Sequence, residues 1–249
     1  MKTYTTLFFD LFNTIALWDV SKIPIFNING KTRHSTLEEL RIVLSSHAPQ
    51  LAFDDFQRAF DLVNSELIEE RKQKQKEISS PERFFRILEK LEIRSKRTNE
   101  KLSHDLSRKH MQLLRNAAFV PIEHRNLLNE LKKTFRLGVI SNFDHAESAK
   151  TILTRDCVAL CFEQIFISEE FGWRKPDDKI FNATCDAFGE EKENILFIGD
   201  SIEDDILGAT NAGLDVAWIN PKSVTLPPTT VKPTYEIKSI LELKELLLR

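Results

Sequence analysis

The sequence lacks the features that mark several classes of protein. Three cysteines are an odd number, and their spacing matches no zinc motif, so we predict reduced thiols and a cytoplasmic protein. No apolar run reaches the ~20 residues that a membrane span needs, and the N-terminus has no signal-peptide pattern. The six histidines show no metal-ligand spacing. A secreted, disulfide-stabilised or membrane-spanning protein is therefore not expected.

The sequence also lacks a strong charge of one sign. Its formal net charge is only -3, which gives no long-range field for nucleic acid or for an anionic membrane. We therefore expect neither as a partner and predict a small-molecule substrate; nothing in the sequence indicates an oligomeric state. A hydrophobic content of 41% in 249 residues is enough for a buried core.

Two kinds of hydrophobic periodicity divide the chain. Residues 4–14 indicate a buried strand and loop, and from about residue 120 short apolar runs alternate with helical stretches. This alternation predicts an α/β fold, a parallel sheet with helices on both faces, with further strands at 137–141, 164–168, 195–199 and 215–219. Between these parts, helical periodicity with dense charge predicts an inserted helical module, with helices near 37–46, 54–75, 81–91 and 99–114.

The first predicted strand ends at a single carboxylate, Asp10, with a hydroxyl at Thr14. In an open parallel sheet, ligands bind outside the carboxyl ends of the strands, so Asp10 stands where a nucleophile or metal ligand would stand. A second carboxylate two positions later could act as general acid and base. That position holds Phe12, which has no proton to give.

Two further strand ends carry polar groups. Ser141 and Asn142 follow an apolar strand and could donate hydrogen bonds to a phosphoryl oxygen, although the same pair also suits a turn or a helix cap. Lys175 precedes Pro176 ahead of a helix that starts near Asp178, a place from which it could neutralise an anion. The alternative is a surface lysine that merely precedes a helix.

A fourth strand end is acidic. The segment ILFIGDSIEDD ends in Gly199-Asp200 and continues to Asp204 and Asp205. Gathered carboxylates repel one another unless a cation offsets the repulsion. The alternative is that Asp200 caps the following helix while the later acids favour its positive N-terminus.

Taken together, these four segments resemble the motifs of the haloacid dehalogenase-like hydrolase superfamily. Asp10 with Thr14 is similar to its first motif, Ser141 to its second, Lys175-Pro176 to its third, and Gly199-Asp200 with Asp204 and Asp205 to its fourth. The stretches SEEFGWRKPDDKIF and IGDSIEDDILGATNAG also resemble that family. The resemblance implies a Rossmann-like core domain, residues 1–16 and 119–249, with an inserted α-helical cap domain at 17–118.

The resemblance also implies roles for individual residues. Asp10 would be the nucleophile that forms a covalent aspartyl intermediate, Ser141 would bond the transferring group, and Lys175 would hold the nucleophile and the substrate charge. Thr14, Asn142 and the Phe12 side chain would contact the substrate. The implied magnesium site consists of Asp10, the backbone carbonyl of Phe12 and Asp200, completed or oriented by Asp204 or Asp205.

Phe12 departs from the phosphatases of this family, which have an aspartate at this position, and it resembles the dehalogenases, which have an aromatic residue there. Asp200, however, keeps the carboxylate that a magnesium ion needs and that those dehalogenases lack. Our leading hypothesis is a magnesium-dependent phosphohydrolase or phosphoryl-transfer enzyme that is either slow or restricted to substrates whose leaving group needs no acid. The alternatives are metal-independent hydrolysis of a carbon–halogen bond in a 2-haloacid and a non-catalytic protein that binds phosphate or a partner.

Overall fold

The computed structural model describes residues 2–28, 31–92, 96–227 and 231–248. The chain divides into two compact units, the first formed by Met1–Trp18 with Phe119–Arg249 and the second by Asp19–Ala118. The strands are β1 (Thr6–Phe9), β2 (Leu17–Trp18), β3 (Ile25–Ile28), β4 (Lys31–His34), β5 (Ala118–Phe119), β6 (Arg136–Ser141), β7 (Gln164–Ile167), β8 (Ile195–Gly199), β9 (Asp215–Ile219) and β10 (Tyr235–Ile237). The α-helices are α1 (Leu37–His47), α2 (Phe53–Lys74), α3 (Ser80–Lys90), α4 (Lys96–Ala117), α5 (Ile122–Leu131), α6 (Ala146–Arg155), α7 (Ser168–Phe171), α8 (Asp178–Phe188), α9 (Gly208–Asn211) and α10 (Leu243–Leu247).

The first unit is built on a six-stranded sheet in the order β10-β9-β8-β1-β6-β7. Every neighbouring pair in it is parallel, and helices surround it. This confirms the predicted α/β class, and the four strands predicted after residue 120 all lie within one residue of their predicted bounds. The chain runs from β1 outward through β6 and β7 and then returns to β8 on the other side of β1. The order in which the chain adds strands therefore reverses between β1 and β8. Open α/β sheets bind ligands at such a switch point.

The central strand β1 is buried on both of its faces. Successive side chains of a strand point to opposite sides of the sheet, and all of Leu7, Phe8 and Phe9 are fully buried. On one face Phe8 packs edge-on against Phe188 of α8, with ring centroids 4.8 Å apart. On the other face Phe9 meets Phe162 at 6.4 Å. An apolar run without polar alternation is thus explained by helices and loops that cover both faces.

The second unit contains the four helices α1 to α4 and the antiparallel hairpin β3–β4. The helices lie where the helical periodicity predicted them, and their buried faces form one apolar core that includes Leu40, Phe56, Phe84 and Leu106. Helix α3 begins where Ser79 accepts a hydrogen bond from the Glu82 amide at 3.4 Å, a standard N-terminal cap. No helix among the described residues combines the length and hydropathy needed to cross a bilayer.

Candidate active site

Asp10 lies at the carboxyl end of β1, the middle strand of the sheet. Its side chain is only 8% exposed, and its backbone N–H donates to the Ile198 carbonyl of β8 at 2.8 Å. That bond continues the strand pairing by one residue, so the direction of the carboxylate is set by the sheet itself. A carboxylate held in this way at the switch point of the sheet is a group positioned for chemistry.

Lys175 is the cation that faces this carboxylate. Its side chain is 1% exposed, and its ammonium donates to Asp10 Oδ1 at 2.7 Å and to Asp205 Oδ1 at 2.6 Å. Burial alone would lower the pKa of Lys175, but the charges of Asp10 and Asp205 reverse that effect and raise it, so the group stays an ammonium ion. The alternative that Lys175 is a surface residue is therefore wrong.

Asn142 holds the backbone of Lys175 in place. Its side-chain oxygen accepts a hydrogen bond from the Lys175 N–H at 2.8 Å, and its side-chain NH₂ donates to the Lys175 carbonyl at 2.8 Å. Each polar atom of the carboxamide thus bonds the Lys175 backbone, and the predicted role of Asn142 as a substrate donor stays a prediction. Its contacts indicate a residue that positions the lysine segment.

The acidic segment after β8 forms a tight turn around Asp205. Asp205 Oδ2 accepts from the backbone N–H groups of Asp200 and Ser201, both at 3.0 Å, while Oδ1 faces Lys175. The residues Ile202–Leu207 form a π-helix, a form that is frequent at functional sites, and Ser201 caps it by accepting from the Asp204 N–H at 3.2 Å. The alternative that Asp200 caps this helix is wrong.

Three carboxylates come together at this edge. One oxygen each of Asp10, Asp200 and Asp205 lies within 4.8 Å of the others, whereas Asp204 is not part of this group. Burial raises the pKa of Asp10 despite the opposing charge of Lys175, and burial together with the Asp205 charge raises the pKa of Asp200 to about 6. If all three ionise, one ammonium leaves two negative charges uncompensated. The donor set and its charge thus fit a divalent cation with oxygen ligands.

Two hydroxyl groups at the same end of the unit have no protein partner. Thr14 is 1% exposed and Ser141 is 0% exposed, and neither Oγ makes a hydrogen bond to the part of the chain that the structure describes. A buried hydroxyl without a partner is costly and rare. Both groups are therefore free to bond the oxygen atoms of a bound anion.

Phe12 takes part in an aromatic contact beside Asp10. The ring is half-buried, stacks on Trp18 at 4.8 Å between centroids and meets Phe143 at 4.7 Å. The following residue, Asn13, adopts the left-handed conformation at φ 61°, and a hydrogen bond from its side chain opposes the rise in the Asp200 pKa. Asn13 and Phe143 were not predicted as site residues; asparagine, which tolerates the left-handed region, was the one available signal.

The glycine before Asp200 leaves room for Asp205. A Cβ at Gly199 would collide with the Asp205 carboxylate, which is already held on both oxygens. We expect Gly199→Ala to displace Asp205 and Lys175, to lower the free energy of unfolding by about 1–3 kcal/mol and to reduce activity. Thermal unfolding and turnover measure the two effects.

Gly189→Ala is the matched control for this substitution. Gly189 ends α8 at φ 58°, and a Cβ there meets nothing within 4 Å. Its cost is the left-handed conformation alone, about 1–2 kcal/mol, without loss of activity. Equal activity losses in both variants would contradict the role given to Gly199.

A family model described as haloacid dehalogenase-like hydrolase matches residues 40–219, a range that begins after Asp10. Over 124 residues the chain is 35% identical to pyrimidine 5'-nucleotidase YjjG of Escherichia coli (strain K12), covering 49% of this chain and 54% of that protein. Over 123 residues it is 37% identical to N-acylneuraminate-9-phosphatase of Mus musculus, covering 49% of each. The match thus spans about half the length of these curated relatives.

A solved structure of 2-haloacid dehalogenase from Pseudomonas syringae pv. Tomato DC3000 has the same fold over nearly the whole chain. It covers 99% of both chains with a TM-score of 0.74 and 24% identity. The family match extends over most of the chain and includes the segments of Ser141, Lys175 and Asp200. The chain therefore belongs to the haloacid dehalogenase-like hydrolases.

Proposed function

We propose that this hydrolase transfers a phosphoryl group from a small soluble substrate to Asp10 and then to water or a second acceptor, with magnesium as cofactor. The observation that carries the proposal is the arrangement of the Asp10 carboxylate against Lys175, with the unpartnered hydroxyls of Thr14 and Ser141 at the same end of the unit. It unites a nucleophile, a fixed positive charge and free donors, which are the groups that phosphoryl transfer uses. A cytoplasmic location is part of this proposal.

Asp10 supplies the attacking oxygen. One carboxylate oxygen is held by Lys175, so the other can approach phosphorus, while the bond to the leaving oxygen breaks and its electron pair departs with that oxygen. Water then attacks the phosphoaspartyl group, releases inorganic phosphate and regenerates the carboxylate. Lys175 keeps its charge throughout, since Asp10 and Asp205 raise its pKa.

The hydroxyls of Thr14 and Ser141 would donate to the oxygens of the transferring phosphoryl group. Both are buried, so a hydrogen bond made there is not weakened by competition with water. Asn142 would contribute indirectly, by holding the Lys175 backbone through its two hydrogen bonds. Phosphoryl transfer depends mainly on positioning and charge stabilisation, which these rigid contacts provide.

The residues that would hold magnesium are Asp10, Asp200 and the backbone carbonyl of Phe12. When bound, the ion would neutralise charge on the phosphoryl oxygens. Asp205 has both oxygens engaged by Lys175 and by two backbone N–H groups, so it would orient the site. A direct role for Asp204 stays a prediction.

Phe12 restricts the leaving group. General acid–base catalysis typically contributes ~10²- to 10⁴-fold, and a phenyl ring contributes none of it. The leaving groups of acyl phosphates and phosphoanhydrides depart without a proton, so these two classes of substrate suit this site. The aromatic cluster of Phe12, Trp18 and Phe143 also favours a second candidate function, hydrolysis of a 2-haloacid, because halide leaves without a proton and an apolar wall suits it.

The decisive experiment compares substrates with and without magnesium. We expect acetyl phosphate to be hydrolysed in a magnesium-dependent reaction and glycerol phosphate far more slowly, because its alkoxide needs an acid. Phe12→Asp should narrow that gap by ~10²-fold or more by restoring the acid. Phosphate release measures both rates.

Phe12→Leu is the control, since it alters the same contact without adding an acid. The difference between the rates for acetyl phosphate and glycerol phosphate should persist in this variant. Halide release from 2-chloropropionate in EDTA would favour the dehalogenase instead. Absence of turnover with every phosphate in magnesium, together with tight binding of magnesium and a phosphoryl mimic, would leave a binding protein as the function.

A further inference from the structure

The residues Phe12, Trp18 and Phe143 form a small aromatic cluster in the first unit, here named the aromatic shelf. Phe12 and Trp18 are nearly parallel, with an interplanar angle of 19° and centroids 4.8 Å apart. Phe143 meets Phe12 at 4.7 Å and 49°. All three residues are half-buried, so the cluster is not enclosed in the core. Stacked rings at the edge of a core are a surface on which another planar ring binds well.

The shelf lies next to the nucleophile because of the strand register. Phe12 comes two residues after Asp10 at the end of β1, and Phe143 comes two residues after Ser141 at the end of β6. These strands are parallel neighbours, with Phe9 opposite Val139, so both rings leave the sheet at the same edge. The shelf and the attacking carboxylate thus share one end of the unit.

The backbone of Phe143 is held in place by the side chain of Ser168. Its N–H donates to Ser168 Oγ at 2.9 Å, and that hydroxyl donates to the Phe143 carbonyl at 3.3 Å. The segment therefore cannot move away from Phe12 without breaking both bonds. A surface fixed in advance loses little entropy when a ligand binds to it.

The chemistry of Phe12 limits what can bind on the shelf and react. The ring replaces an acid, so the leaving oxygen has to depart as an anion. A phenolic oxygen has a pKa of about 10, well below that of an alkoxide, and leaves as phenolate. A nucleoside monophosphate also carries a planar ring, but its phosphate is bonded to an alkyl oxygen of the sugar and still needs the acid.

We propose that the aromatic shelf binds the aromatic leaving group of a small aryl phosphate, which names the substrate class and rests on the proposed function. Asp10 forms its bond to phosphorus while the bond from phosphorus to the aryl oxygen breaks, and the electron pair leaves on phenolate. Water then cleaves the phosphoaspartyl bond, giving phosphate and the free carboxylate. The proton released from that water is taken up by phenolate.

The test compares phenyl phosphate, cyclohexyl phosphate and acetyl phosphate by kcat/KM in magnesium. We expect phenyl phosphate to exceed cyclohexyl phosphate by at least ~10²-fold, since the latter lacks both the ring and the better leaving group. Trp18→Leu should lower the ratio of phenyl to acetyl phosphate about 10-fold through the loss of stacking. Phe166→Leu, which changes an aromatic ring of β7 outside the shelf, should leave this ratio unchanged.

Binding provides a second readout that does not depend on turnover. In the unsubstituted protein, phenylphosphonate should bind about 10-fold more tightly than methylphosphonate by calorimetry. This measurement needs no variant, so it remains possible even if Trp18→Leu does not fold. Equal affinities for the two phosphonates, or an unchanged ratio of phenyl to acetyl phosphate in a folded Trp18→Leu, would overturn the proposed binding role of the shelf. Turnover of acetyl phosphate would still support the proposed function in that case. Failure of acetyl phosphate hydrolysis overturns the function itself.

Discussion

Asp10→Asn is expected to abolish phosphate release while leaving the fold intact. The amide cannot serve as the nucleophile, so turnover of acetyl phosphate should fall by at least ~10³-fold. The amide oxygen can still accept from the Lys175 ammonium, which donates to Asp10 at 2.7 Å. Phosphate release at saturating substrate is the measurement, and trapping of radioactive phosphate on the unsubstituted protein identifies the covalent step.

Thermal unfolding in EDTA separates loss of chemistry from loss of structure in this variant. Burial raises the pKa of Asp10, so the folded state binds its proton more tightly than the unfolded chain does. The ionised carboxylate is therefore a destabilising group. Its cost in free energy of unfolding grows as pH rises from the pKa of Asp10 in the unfolded chain to its raised pKa in the folded protein. We expect Asp10→Asn at pH 8 to melt no lower than the unsubstituted protein. A large fall in melting temperature would show that the lost activity reports unfolding.

Lys175→Met is expected to have the second large effect, on stability as well as on activity. The ammonium is 1% exposed and lies 2.7 Å from Asp10 and 2.6 Å from Asp205, so its removal leaves two buried carboxylates without a cation. Breaking a buried ion pair from one side costs about 3–5 kcal/mol. Urea unfolding should show this loss, and phosphate release should fall as well because the fixed charge near phosphorus is gone.

Two further variants make the lysine prediction specific. Lys175→Met combined with Asp205→Asn removes one of the stranded charges and should recover part of the stability without activity. Lys179→Met changes a half-exposed lysine in the same region that pairs with Asp177 at 3.3 Å, and its effect should stay within about 1 kcal/mol. Equal destabilisation by Lys175→Met and Lys179→Met would contradict the buried ion pair.

The positions of the site residues along the sheet were predictable because strand ends are visible in sequence. Apolar runs stop at Asp10, Ser141 and Asp200, and parallel strands bring such ends to one edge. The hydrogen-bond partners of the site residues were harder to predict from the sequence. Asn142 could be recognised as a donor, but its partner lies on a separate loop, so sequence alone could not show that it holds the lysine segment.

Only the structure shows how the surroundings of Asp204 and Asp205 differ. Adjacent residues on a helix point in different directions, and a sequence gives no absolute phase for a helix whose start is uncertain. Here the π-helix Ile202–Leu207 also departs from the 3.6-residue repeat, so ordinary helical spacing would have misled. The contact of Trp18 with Phe12 was not predicted, since the predicted core segment stopped at residue 16 while the first unit extends to Trp18.

The central place of β1 also constrains how the protein folds. Thr6 pairs with Arg136 on one side and with Ile195 on the other, so both neighbours of the first strand are distant along the chain. Contacts of such long sequence separation form slowly, because loop closure costs entropy before the contact repays it. During synthesis β6 emerges before β8, so one side of β1 can be paired while the other side still lacks its neighbour. Asp10, which follows β1, can therefore meet Asp200 and Asp205 only after the chain has been made beyond β8.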